Sequence, residues 1–89
     1  MRKIKTTNVF LKDVRRSKKR GKCLEKLQSV IDQLAHSHLL EKKFHPHRLT
    51  GSASDCFECH LENDWLLVYR CNETSLELVR TGSHSDLFE

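Results

Sequence analysis

The chain has 89 residues, 37% of them hydrophobic, and 16 Lys/Arg against 12 Asp/Glu give a formal charge of +4; a chain of this size makes one domain, spanning 1–89, with a single small core. No apolar run reaches membrane-spanning length, and no apolar signal region follows the charged start from Met1 to Lys5, so the reading is a cytoplasmic protein with no membrane partner. Residues 2–22 carry ten Lys/Arg and one acidic residue, Asp13, while the remainder carries six basic and eleven acidic residues, an asymmetry that points to RNA or an acidic protein as a partner for one face.

Residues 2–6 form a candidate first strand with Ile4 its apolar member. Thr7 or Asn8 is an N-cap for a helix to about residue 20, in which Phe10, Leu11 and Val14 are the apolar side. Gly21 suits the C-terminal cap. A second helix over about 23–37 places Leu24, Leu27, Val30, Ile31 and Leu34 at three–four spacing, which makes an amphipathic helix and, with the first, a hairpin. Residues 39–54 have no clean period and contain Pro46, Gly51 and several histidines, so they read as a functional loop.

The period then becomes two. Residues 55–61 are a strand and Glu62 and Asn63 a turn. Residues 65–69 are nearly continuous in apolar side chains, hence a central strand buried on both faces. Residues 76–81 are a further strand, and residues 82–85 turn into a short tail ending in Leu87 and Phe88. The fold class is α+β: an N-terminal helical hairpin packed on one face of a small, mainly antiparallel four-stranded sheet. The other face is left for a site.

Six histidines occur in the chain. His45, His47, His60 and His84 fall outside the helical stretches, and imidazole is the side chain that ordinarily titrates near neutral pH. His60 ends one strand, Asp64 opens the next across a tight turn, and His84 follows the last. Antiparallel pairing would gather the three at one end of the sheet. Such a cluster suits cleavage of an RNA phosphodiester by its own 2′-hydroxyl. That reaction needs a general base, a general acid and donors for the phosphoryl oxygens, and neither a metal nor a protein nucleophile. Arg48 and Arg80 are candidate charge stabilisers, and Trp65 and Phe88 candidate base-stacking or site-shaping rings. Taken singly, His36, His38 and His45 read as solvated loop residues. The C-x-x-C-H string at Cys56–His60 resembles a haem or zinc motif, but strand neighbours three apart point to opposite faces. The cysteines therefore read as free thiols, with no metal and no cofactor.

The segments from His47 to Gly51, from Cys59 to Tyr69 and from Arg80 to Phe88 resemble the YafQ branch of the RelE/ParE toxin superfamily. The strand-pair pattern H-L/V-x-x-D-W/L-L/I-L-V/I-Y and the C-terminal pattern R-x-G-S/T-H-S/A-x-L-F carry the resemblance, which covers nearly the whole chain. It implies a RelE-like fold and the toxin of a type II toxin–antitoxin pair. Such a toxin is a metal-independent endoribonuclease that cleaves mRNA on the ribosome and so inhibits translation. The partners implied are a cognate antitoxin, the ribosome and mRNA, with operator DNA reached only through the toxin–antitoxin complex. The family's catalytic set falls on His47, His60, Asp64 and His84, with Phe88 at the C-terminal phenylalanine and Trp65 at the often aromatic position beside the aspartate. The family loop commonly reads H-P-L-x-G. Here the literal dipeptide is His45-Pro46, while spacing to Leu49 and Gly51 favours His47. Two alternatives keep the fold: a ParE-like toxin that acts by binding gyrase, and a non-catalytic member that binds antitoxin and operator.

Overall fold

A computed structural model describes residues 1–36, 40–49 and 56–88. Strand β1 (Lys3–Thr6) leads into helix α1 (Asn8–Lys19). Thr7 is the N-cap: its Oγ1 accepts from the Phe10 N–H at 2.9 Å and donates to the Val79 carbonyl at 2.8 Å. The helix ends in a Schellman motif. The Lys22 N–H reaches the Ser17 carbonyl and the Gly21 N–H reaches that of Lys18, with Gly21 at φ +81°, a left-handed position that favours glycine. Helix α2 (Leu24–His36) follows and buries Leu27, Val30, Ile31, Leu34 and Ala35.

The region read as a functional loop contains a 3₁₀ turn (Lys42–Phe44) and a two-residue strand, β2 (His47–Arg48). Strands β3 (Phe57–Glu62), β4 (Trp65–Cys71) and β5 (Ser75–Gly82) come next. The tail then coils as helix α3 (His84–Phe88). The sheet order is β1-β5-β4-β3-β2, with β1 parallel to β5 and every other pair antiparallel. The architecture is the expected α+β with a mainly antiparallel sheet, with two corrections: the sheet has five strands, and the tail is helical. The two-residue β2 carries too little hydrophobic pattern to register as a strand. It exists because its backbone pairs with that of Phe57 and Glu58. The readings that involve His38, Thr50, Gly51 and Asp55 lie outside the described residues.

The helices cover one face of the sheet. Phe10, Leu27, Val30, Ile31 and Leu34 pack against Cys59, Leu61, Trp65, Leu67, Tyr69, Leu76 and Leu78. Fully burying a side chain of this size contributes roughly 1.5–3 kcal/mol, so this layer holds the fold. Leu66 and Val68 are buried too, but outside that cluster. Strand β4 is thus sealed on both sides, as its apolar run predicts. Among the described residues no helix is long and apolar enough to cross a membrane.

Candidate active site

Strand pairing assembles the site. His60 on β3 is registered with Leu66 on β4, and Leu66 with Gly82 on β5. The β3–β4 turn, which carries Asp64, therefore lies beside the end of β5, from which His84 starts α3. On the other side of β3, β2 pairs His47 with Glu58, two residues before His60 and on the same face of the strand.

His60 is the hub of the imidazoles. Its ring centroid lies 5.9 Å from that of His45, 6.2 Å from His47 and 6.0 Å from His84. The Phe88 ring lies 6.3 Å from His84 and the residue is 52% exposed, so it has a face to offer a base. Beside His45 and His60 opens a cleft of about 570 Å³, lined also by Lys43, Leu61, Glu62 and Asn63.

Two carboxylates order the rings. The backbone N–H and Nδ1 of His84 each lie 2.9 Å from Oδ1 of Asp64. A carboxylate only accepts, so Nδ1 carries a proton and Nε2 is left facing outward to take or give one. The His84 N–H bond and then the ring bond hold the Asp64 carboxyl below its usual range. Glu58, 6% exposed, has Oε1 at 3.4 Å from Nε2 of both His47 and His60. Sequence reasoning missed Glu58. The signal was its place two residues before His60, which puts both side chains on one strand face.

The sequence reading is refined at four further residues. His45, read as solvated, is exposed but stands against His60, and its carbonyl accepts from Nδ1 of His47 at 2.9 Å. The loop thus supplies two histidines; a left-handed backbone at His45 (φ +48°) folds the segment so that both reach His60. Trp65 is 1% exposed within the helix-facing core, so it has no face to offer a base. Its indole N–H has no partner among the described residues. Arg48 stands apart from the histidines: strand alternation turns it away from His47, and its guanidinium lies 5.4 Å from the Phe57 ring centroid. Arg80 donates from Nε and Nη2 to Asp13 at 2.7 and 3.1 Å, which leaves Nη1 and the second Nη2 hydrogen to meet an anion. Cys59 lies in the helix-facing core and Cys56 outside it; burial pushes the Cys59 thiol up to about 12.

This geometry can be set beside known proteins. The family model described as "Bacterial toxin of type II toxin-antitoxin system, YafQ" matches residues 2–89. The chain belongs to this family. The curated mRNA interferase toxin YafQ of Escherichia coli K12 is 34% identical over 88 residues, covering 98% of this chain and 96% of that protein. The crystal structure of the E. coli DinJ–YafQ toxin–antitoxin complex matches with a TM-score of 0.92 at 32% identity, over 99% of this chain and 98% of the other. A metal-bound toxin from Helicobacter pylori matches with a TM-score of 0.91 at 43% identity, over 99% and 100% of the two chains. Among the described residues of the present YafQ-family toxin, no three His, Cys, Asp or Glu side chains are grouped as an ion would require.

Proposed function

We propose that this toxin is an mRNA interferase, an endoribonuclease that cuts message on the ribosome by general acid–base catalysis. A cognate antitoxin holds it inactive, and operator DNA is met only through that complex. The single observation that carries the reading is the Asp64–His84 pair beside His60, at an exposed end of the sheet with Phe88 next to it.

In this reaction a base removes the 2′-hydroxyl proton and the 2′-oxygen attacks the adjacent phosphorus. The 5′-oxygen departs with a proton from the acid, leaving a 2′,3′-cyclic phosphate and a 5′-hydroxyl. His84 suits one of the two transfers. Asp64 holds its Nδ1 proton, so a single nitrogen, Nε2, faces outward. Asp64 is thereby an orienting carboxylate. His60, with His45 and His47 around it, suits the opposite transfer and the binding of phosphate. Phe88 would stack on a base and fix the strand. Arg80 Nη1 and protonated imidazoles would meet the charge that develops on the phosphoryl oxygens. None of these steps is routed through a metal.

The test is expression of the toxin in growing cells, with primer extension to map cuts in translated message, for the parent and for His84→Ala. A general acid–base group typically contributes about 10²–10⁴-fold, so His84→Ala should lose cutting by that order and lose toxicity. Growth arrest by the parent without new 5′ ends would place its action in binding instead. Cutting by His84→Ala at the parent rate would remove His84 from the mechanism.

A further inference from the structure

Helix α3 carries two of the site residues and yet buries none of its five side chains. Hydrophobic packing, with Leu87 only half-buried, therefore holds it weakly, and its polar links carry the rest. One is the His84–Asp64 pair. The other lies on the opposite side, at Asp86. There Arg20 Nη1 donates to Oδ2 at 2.6 Å and Nη2 to Oδ1 at 3.2 Å, a two-pronged pair from the end of α1. Arg16 Nη2 lies 3.6 Å from the same Oδ2. Asp86 also closes a capping box: Oδ2 accepts from the Ser83 N–H at 2.9 Å, and Ser83 Oγ accepts from the Asp86 N–H at 3.1 Å. The seat is tight. A Cβ on Gly82 would come within 2.9 Å of Asp86 Cβ and Oδ2 and 3.0 Å of Arg16 Nη2.

We propose that Asp86 is a positioning residue for RNA cleavage: clamped by Arg20 and Arg16 of α1, it fixes α3 so that His84 and Phe88 present to the substrate. The proposal rests on the ribonuclease reading above. Asp86 touches neither substrate nor reacting atoms. It acts because a five-residue helix without buried side chains opens locally unless it is tied at both sides, and a displacement of about 1 Å at a reacting group can cost on the order of 10²-fold in rate.

Asp86→Asn is the discriminating variant. It keeps an oxygen for the Ser83 N–H and removes the charge that Arg20 grips. It also makes the toxin more basic, so electrostatic attraction to RNA can only rise. A fall in turnover then cannot come from weaker RNA attraction. The expected result is a roughly 10- to 100-fold loss of cleavage rate on ribosome-bound message, with substrate affinity retained. The ¹⁵N spectrum of His84 should change from one Nδ1–H tautomer to a mixture. Arg20→Ala should do the same, and Arg20→Lys should recover part of both signals. Asp86→Asn that cuts at the parent rate overturns the proposal. So does a variant that loses rate while its His84 spectrum stays that of the parent. A parent chain that cuts nothing would overturn the ribonuclease reading, and the spectra would still decide whether Asp86 and Arg20 position His84.

Discussion

Glu58 stands between two imidazoles: its Oε1 lies 3.4 Å from Nε2 of both His47 and His60 while the residue is 6% exposed. His47 gives its Nδ1 proton to the His45 carbonyl. In the neutral ring a lone pair on Nε2 would then face the carboxylate, which is repulsive. The contact is attractive only when a proton lies between them, on the ring or on Glu58. His47 and His60 thus converge on one carboxyl oxygen of Glu58, whose low exposure strengthens the interaction. Glu58→Gln keeps the shape and removes the charge. It should lower single-turnover cleavage by about 10-fold, less than the loss of a general acid or base itself, with the thermal midpoint within a few degrees of the parent. Cleavage at the parent rate would show that Glu58 serves the fold alone. None of this depends on Arg48, which strand alternation sends to the other face.

At the scale of elements, α3 is held by polar contacts rather than apolar burial, and acid should release it. The Arg20 guanidinium, then the Ser83 N–H, hold the Asp86 carboxyl well below the usual carboxylate range. The His84 bonds lower Asp64 in the same direction. A group whose folded pKa is depressed stabilises the docked state fully above its unfolded value, about 3.9 for Asp, and that contribution is lost as the pH falls toward the folded value. The charges that face these carboxylates are Arg16, Arg20, Lys22 and His84. Amide exchange in α3 should therefore rise below about pH 4 while the amides of β4 stay protected, as hydrogen exchange by NMR would read. Release already at neutral pH would show that imidazole protonation controls the helix. The same contrast explains what was legible in the sequence. Helix α2 and strands β3 to β5 were readable because each buries apolar side chains in a regular pattern; α1 was readable from its Thr7 cap and Gly21 stop, since its buried residues are Phe10, Asp13 and Ser17 and Leu11 is exposed. The joining of His60, Asp64 and His84 was readable because antiparallel pairing alone brings them together. Strand β2 and helix α3 were not, since backbone pairing with β3 holds the one and ion pairs to distant segments hold the other, and neither leaves a period. Glu58 and Asp86 were missed for a related reason: each acts through a partner that only the register of the strands or the α1–α3 contact supplies.

Over the whole molecule the positive charge is divided between two uses. Arg16 and Arg20 are spent on Asp13 and Asp86, and Lys22 on Glu62. Lys12, Arg15, Lys18 and Lys19 are exposed on α1 and form no ion pair among the described residues. Like charges three and four residues apart on a helix destabilise it by about 0.2–0.5 kcal/mol per pair. Arg15 stands at those spacings from Lys12, Lys18 and Lys19, so this face costs the toxin stability, and a polyanionic partner such as ribosomal RNA would account for it. Arg15→Glu separates the two uses. It replaces three repulsions with three attractions and lies outside the last turn, so the favourable basic charges at the C-terminal end of the helix remain. The variant should melt at the same temperature as the parent or a few degrees higher, since about 1 kcal/mol moves a domain of this size by roughly 4–8 °C. It should also bind ribosomes more weakly. The slope of log affinity against log salt should become shallower by about 0.7–0.9 for each phosphate that the variant no longer neutralises. Calorimetry and ribosome co-sedimentation over a salt series read the two effects independently. If Arg15→Glu binds ribosomes as the parent does at every salt concentration, this face of α1 does not meet the ribosome, and its charge needs another partner, such as an acidic stretch of the antitoxin.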